Sequence, residues 1–381
     1  MNNNKKSILK NSGFQSILAS LLCILFGLVI GYIVLLFIQP KGANEAILTI
    51  IKNFLNYSSP SKMVKYLGNT LIKTAPLLMC ALSVQFCYKV GLFNIGAAGQ
   101  YVIGAGASLY CALALHLPWF VCIIAAAVCG AAYGALVGIL KAYNNVNEVI
   151  SGIMLNWISL YGVNMLLSTV KESSTPYTYA LKSENPSALL PSFGLSDMFA
   201  KNKYVTIAIP LAIIFAIVIY IIQNKTVFGY ELIATGYNKD AAKYAGMKEK
   251  KNIIITLAIG GALAAIGASF FFLTGYEQWS CTQSAVPSMG FNGIAATFLG
   301  GLNPLGTIFA SYFIQHITSG GSYLDKNVYP SQISDLISAI IIYMCGFVLF
   351  FKLFLNSRVD NKKDTNANAV DTKSNEGGEK K

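Results

Sequence analysis

Four uncharged apolar stretches limit what this chain can fold into: Ile17 to Ile38, Trp119 to Leu140, Val205 to Ile222 and Ile253 to Leu273. Each approaches or exceeds the ~18 residues that cross a bilayer as a helix. Lipid offers a bare backbone no hydrogen bonds, so each segment must satisfy its own amides, and helices are the expected form. The alternating pattern of a membrane barrel is absent. Only 12% of the 381 residues are charged, against roughly a quarter in soluble domains, and a soluble fold of this length could not hide so much apolar surface. The expected fold class is therefore all-α, a polytopic transmembrane helical bundle of about ten spans. These fall near 17–38, 67–88, 92–115, 119–140, 147–169, 204–223, 253–274, 288–301, 303–318 and 332–355. The transmembrane domain is placed at 17–355, between a tail at 1–16 and a second tail at 356–381.

The first run follows Lys5, Lys6 and Lys10, in the manner of a secretory signal. A cleavable apolar core is about 7 to 15 residues, and this run is longer, which favours an uncleaved anchor over cleavage near Ala43 to Ala46. The net charge of +12 takes its meaning from where the lysines lie. With both termini cytoplasmic, Lys89, Lys141, six basic residues from Lys225 to Lys251 and seven from Lys352 onward join the N-terminal three on one side. That is the bias of cytoplasmic loops, so the charge speaks for topology, with contact to anionic lipid as a second use. Nucleic acid is not implied.

Of the eight cysteines, Cys23, Cys80, Cys87, Cys111, Cys122, Cys129 and Cys345 sit within apolar spans, and no CxxC pair occurs. They read as small buried hydrophobes. Cys281 alone falls in an external loop, where it lacks a partner for a disulfide framework. His116 and His316 have no acidic or cysteine neighbours at ligand spacing, so no metal site is expected.

Two external stretches and one cytoplasmic one punctuate the spans. Within 39–66, Ile47, Ile50, Ile51, Phe54 and Leu55 recur at helical spacing and predict a short surface helix. Residues 171–203 carry Pro176, Pro186 and Pro191 and form the second external stretch, either solvated loop or docking surface. The third stretch, 224–252, reads as helix: two short pieces meet in the segment Gly229 to Gly246, with Asn238 or Asp240 as a cap for the second. Small residues at Ala241, Ala242 and Ala245 would let another backbone approach, which suits a docking helix, the alternative being a linker lying on lipid. The tail from Asn356 has almost nothing apolar to bury and is expected to be disordered.

Phe93 to Gln100 interrupts a hydrophobic stretch with Asn94, Gln100 and the glycines Gly96 and Gly99. Glycines let backbones approach and helices break, while side-chain amides bond across helices where water is absent. Asn147 to Trp157 has the same character, with Asn156 mid-segment and Asn147 or Asn145 able to cap a helix at Glu148, a carboxylate suited to a positive helix end. Glu148 is read either as part of that cap or as a gating or partner contact. Lys73 and Asp335 fall near external span ends, where a long lysine can snorkel. Leu92-Phe93-Asn94-Ile95-Gly96-Ala97-Ala98 is echoed by Gly290-Phe291-Asn292-Gly293-Ile294-Ala295-Ala296. The span map puts the first on the cytoplasmic side and the second outside, as an inverted repeat of spans two to five on seven to ten requires.

No GxxxxGK[ST] sequence is present to cradle nucleotide phosphates. HExxH and GxSxG are also missing, so no hydrolytic site is indicated. Few ionisable residues lie mid-span, which counts against a proton relay.

Phe93 to Gln100, Asn147 to Trp157, Gly229 to Met247 and Gly290 to Gly306, in that order, resemble the membrane subunits of bacterial ABC importers of the ribose, nucleoside and branched-chain amino acid permease superfamily. The likeness spans roughly residues 65 to 355 and is nearest the nucleoside or simple-sugar branch. It implies a permease of the plasma membrane with no cofactor of its own, ATP being bound by cytoplasmic ATPase subunits. The other implied partners are a second permease subunit and an external substrate-binding lipoprotein. Phe93, Asn94, Gly96, Gly99, Gln100, Asn147, Glu148, Asn156, Phe291, Asn292, Gly293 and Asn303 would then be pathway or helix-packing positions. Gly229, Gly236, Asn238, Ala241, Ala242, Tyr244 and Gly246 would serve ATPase coupling. The chain departs from the family at Ala98, where Glu is frequent, and at Ile233, where Arg is frequent. A secondary carrier or channel is the rival reading, and an intramembrane enzyme a weaker one.

Overall fold

The computed structural model describes residues 12–324, with 328, 329 and isolated positions between 336 and 353. Lys5, Lys6, Lys10, Asp335, Cys345, most of the tenth expected span and the tail from Asn356 lie outside the described residues.

Hydrophobic runs fold as helices, as lipid demands. The long ones are α1 (Ser12–Ile38), followed by the surface helix α2 (Ala43–Lys52), then α3 (Pro60–Lys89), α4 (Ala97–Leu113), α5 (Trp119–Asn144) and α6 (Glu148–Leu167). Next come α7 (Ala208–Lys225), the short pair α8 (Val227–Tyr237) and α9 (Lys239–Tyr244), α10 (Glu249–Phe272), α11 (Met289–Leu299) and α12 (Pro304–Gly321). Among the described residues six helices are long and apolar enough to cross a membrane. Two of the expected spans are shorter than drawn: α4 has 17 residues and α11 has 11. At 1.5 Å per residue α11 reaches about 16 Å, half of a ~30 Å hydrocarbon core. In the other direction, α3 starts at Pro60 and takes up part of the stretch expected to be loop.

Burial sorts the helices. On α3 every residue from Thr74 to Cys87 is buried, and α10 is buried from Leu263 to Phe272. By contrast α5, α6 and α7 keep large apolar side chains exposed, among them Phe120, Val128, Met154, Met165 and Ile214. An apolar outer face is what a helix presents to lipid. The centre closes on small residues. Gly130, Gly134 and Gly138 of α5, four apart, meet the α10 backbone around Gly261, Leu257 and Ile254, and a Cβ on Gly138 would lie 2.7 Å from the Ile254 Cα. Close approach of backbones replaces the hydrophobic drive that lipid removes.

The bundle has two dissimilar ends. At one, residues 168–207 and 273–288 form a packed cap rather than a free loop. Asn185 Nδ2 donates to the carbonyls of Ala112 (2.8 Å) and Leu117 (3.0 Å), and the Leu190 amide donates to the Leu273 carbonyl (2.9 Å). Trp279, 1% exposed, is anchored by its Nε1 donating to Asn164 Oδ1 at 2.9 Å. His316 has a structural role at this end, with Nε2 2.8 Å from the Ile51 carbonyl, which ties α12 to α2. At the other end, α8 and α9 form the linker between α7 and α10.

Candidate functional site

The chain leaves α3 at Lys89, turns at Gly91 (φ +75°) and runs back into the bundle before α4 begins at Ala97. Buried amides make this inward return possible. Asn94 Nδ2 donates to Ser83 Oγ at 3.0 Å and to Gln100 Oε1 at 2.8 Å, and Gln100 Nε2 donates back to Asn94 Oδ1 at 3.2 Å. Ser83 lies six residues before Lys89, so α4 starts about 9 Å inside the bundle. Phe93, half-buried, meets the Tyr88 ring edge-on.

A helix that begins there has free amides with no water to take them. Gly96, at the cap position, has no side chain to help. Asn156 of α6 does the work instead: its Oδ1 accepts from the Gly99 amide at 2.7 Å, and its Nδ2 donates to the Ile95 carbonyl at 3.1 Å. A Cβ on Gly99 would lie 2.7 Å from that same Oδ1, and one on Gly152 would lie 2.8 Å from the Gly96 amide nitrogen. Thus the two segments singled out in the sequence, 93–100 and 147–157, form one hydrogen-bonded joint.

The third segment closes on the first. Gly290, at the start of α11, packs so tightly on Ala98 that a Cβ there would overlap the Ala98 backbone. Gly293 sits against Cys80, and Thr297 Oγ1 donates to the Ala81 carbonyl at 2.7 Å. The two echoing segments, expected at opposite sides of the membrane, therefore meet inside the bundle, each opening a short helix. Phe291 faces outward and Asn292 lines a cavity toward the cap. Asn303 caps α12, accepting from the Leu305 amide at 2.9 Å.

Asn147 is the cap of α6, with Oδ1 accepting from the Val149 amide at 2.8 Å and the Ile150 amide at 3.4 Å. Asn145 instead ends α5 in a left-handed conformation (φ +52°). The resulting turn brings Lys141 Nζ to 2.8 Å from Glu148 Oε2, an ion pair that the sequence reading did not foresee.

In the linker, Thr226 caps α8 and Asn238 caps α9; Asn238 Oδ1 accepts from the Asp240 and Ala241 amides at 3.0 Å each. Gly229 lies against the Ile222 carbonyl at the end of α7, and Gly236 lies against the Val90 backbone. Val90 and Gly91 form the turn that feeds the Asn94 joint, so the linker touches the root of that joint through bare backbone. Asn252 Nδ2 donates to Thr235 Oγ1 at 2.9 Å and fixes α8 to the start of α10. Ala242 turns inward, whereas Ala241, Gly246 and especially Tyr237 (88% exposed) and Tyr244 (94% exposed) face solvent.

Among the described residues no group of histidine, cysteine or acidic side chains could hold a metal. The site thus sits in an apolar helical bundle with a hydrogen-bonded joint of helix starts at its heart and a helical linker at one end, the build of a polytopic membrane protein. Residues 66–345 match the family described as the branched-chain amino acid transport system / permease component, and the chain belongs to that family. It is 30% identical to the nucleoside ABC transporter permease protein NupB of Lactococcus lactis subsp. cremoris, over 91% of this chain and 94% of that one. Similarity to the guanosine ABC transporter permease protein NupP of Bacillus subtilis is 33% identity, covering 73% and 80%. The glucose ABC transporter permease protein TsgB13 of Haloferax volcanii is 27% identical, covering 76% and 78%. No solved structure matches the chain. The protein is an integral membrane transport subunit rather than an enzyme.

Proposed function

We propose that this chain is the permease subunit of an ABC importer that moves a nucleoside inward across the bacterial plasma membrane. The observation that carries the reading is the agreement of two nucleoside or guanosine permeases over most of the chain with a joint of uncharged amides inside the bundle. Neutral amides at the joint suit the passage of an uncharged polar solute rather than a proton relay, which needs ionisable side chains.

The lysines at 225, 239, 243, 248, 250 and 251 flank the linker, and the positive-inside bias supports a cytoplasmic linker and an external cap. ATP is bound by a cytoplasmic ATPase that docks on α8 and α9, with Ala241, Tyr244 and Gly246 on its face. A second permease subunit pairs with this one, and an external lipoprotein delivers solute to the cap. Movement of the ATPases shifts the linker, Gly236 passes it to the Val90–Gly91 turn, and the two half-helices at Ala98 and Gly290 rock open and shut. Spans two to five and seven to ten form the halves of an inverted repeat about that contact.

Uptake of labelled guanosine into liposomes holding the chain with its ATPase and second permease tests this. Import requires internal ATP and the binding protein. Uptake by the chain alone under an ion gradient would make it a secondary carrier instead. Import of glucose or galactose in preference to guanosine would move it to the sugar branch.

A further inference from the structure

Between the cap and the half-helix contact lies a cavity of about 420 Å³, within the roughly 300–1,000 Å³ typical of small-molecule sites. Its walls are aromatic. Phe272 meets Trp279 at 5.5 Å between centroids, Phe271 at 5.3 Å and Tyr101 at 6.3 Å, and all four rings line the space. Such rings offer flat apolar faces to a planar partner.

The polar groups in the same cavity are left without partners. Tyr101 is 2% exposed, yet its hydroxyl makes no hydrogen bond to any described residue. Gln315 is 6% exposed and its Nε2 donates to Ser319 Oγ at 3.1 Å, while its Oε1 is unpaired among the described residues. The side-chain amide of Asn292, a half-buried residue whose backbone amide donates to the Ser288 carbonyl at 2.8 Å, is likewise unpaired among them and lies two residues from the Gly290 contact. All three residues line the cavity, so polar groups without a protein partner stand beside an aromatic wall, the pairing of a few placed polar groups with apolar faces that small-molecule sites use to orient a solute. The charges are balanced, Lys73 against Glu277, with Lys73 held 5.5 Å over the Tyr276 ring. No cluster of cations is present for a phosphate.

We propose that this cavity is a nucleoside-binding site in the permease itself, in which the base lies against Phe272 and Trp279 and the hydroxyl and amide groups of Tyr101, Gln315 and Asn292 bond its polar edges. The site rests on the importer reading above and goes beyond it, since it makes the permease a second selector of solute after the external binding protein. Its position, directly above the Gly290–Ala98 contact, makes occupancy a condition of the half-helices parting.

The test uses the full chain assembled with its ATPase and second permease in lipid nanodiscs, without binding protein. Trp279 is one of three tryptophans, so Trp119→Phe with Trp157→Phe leaves it as this chain's reporter. Guanosine is expected to quench it saturably, and equilibrium dialysis of labelled guanosine to give one site per chain. Galactose and guanosine monophosphate should not compete. Tyr101→Phe, which removes only a hydroxyl, and Gln315→Leu should each weaken binding by about fivefold to tenfold, the scale of one hydrogen bond. Competition by galactose equal to that by guanosine overturns the assignment, as does binding unchanged in both variants. If the complex supplied with binding protein and ATP imports guanosine but shows no saturable site, this proposal alone fails. If it neither binds nor imports guanosine, the importer reading falls with it.

Discussion

Replacing Asn94 by leucine removes the hub of the joint while keeping the same number and branching of side-chain heavy atoms. Asn94 is 3% exposed and Gln100 1%, so water cannot replace what is lost. Three hydrogen bonds go: Asn94 to Ser83 (3.0 Å), Asn94 to Gln100 (2.8 Å) and Gln100 to Asn94 (3.2 Å). Within a membrane such bonds average about 0.6 kcal/mol and reach about 1.7, and the stranded Gln100 amide adds about 1–3 kcal/mol. Asn94→Leu should therefore destabilise the chain by about 3–5 kcal/mol on those scales. Gln100→Leu should cost less, about 2–3 kcal/mol, because only two bonds go and Asn94 keeps Ser83 as an acceptor.

The double variant removes both amides together and strands neither. Its cost should fall short of the sum of the two single costs by about 1–2 kcal/mol, a coupling within the range of directly contacting residues. Unfolding of the purified chain by denaturing detergent, followed by circular dichroism, measures all three. Strict additivity, or a Gln100→Leu cost exceeding that of Asn94→Leu, would refute the reasoning, because either result means that the reciprocal pair is not the link holding the return segment.

Ala241→Arg should abolish ATP-driven uptake while the chain still inserts in the membrane, since Ala241 faces solvent on the proposed docking face; normal uptake removes that face from the coupling scheme. Gly246→Arg should do the same with an added loss of stability, because Gly246 has a φ of +83° that side chains resist. Gly236→Ala, pressing on the Val90 backbone, should leave ATP hydrolysis running while uptake falls at least about tenfold, a ~1.4 kcal/mol effect on coupling; equal loss of both activities would argue for simple misfolding. Glu148→Gln should cost no more than about 1 kcal/mol, as expected of a pair that solvent partly reaches. The Tyr57 phenol is pushed up to about 12 by burial first and then by its hydrogen bond and charge interaction with Tyr66. The folded chain thus holds that proton more tightly than the unfolded one, so this contact's stability persists below pH ~10 and is lost as pH rises through about 12. Ultraviolet titration of Tyr57→Phe against the parent chain checks the order of events.

The long spans were legible because length and hydropathy alone decide them: α1, α5 and α10 begin within about five residues of where the apolar runs place them. The start of α4 was not legible in the same way. A hydropathy window sees 92–115 as one crossing, whereas Asn94, Gln100 and Ser83 satisfy one another and so permit a non-helical return inside the bundle. That pairing joins residues through tertiary geometry, and periodicity carries no trace of it. The same holds for Asn156, whose segment was flagged for its amides but whose role as a cap for another helix depends on the approach of α6 to α4. The cap escaped notice because prolines at 176, 186 and 191 read as loop, yet the carbonyls of Ala112, Leu117 and Leu273 bind that segment down.

The Ala98 position shows how local chemistry and packing combine. The chain has alanine at 98, and Gly290 rests directly on its backbone. A longer side chain there would need either a displaced α11 or an outlet toward the Asn94 joint. Ala98 and Gly290 thus form a matched small pair that brings two helix starts together, with both positive ends aimed at one region. Ala98→Glu separates the possibilities. If the half-helix contact closes the pathway, the glutamate wedges it, and solute leaks without ATP; if the contact is only packing, the variant loses stability without leaking. Guanosine efflux from preloaded liposomes, measured with and without ATP, distinguishes the two outcomes.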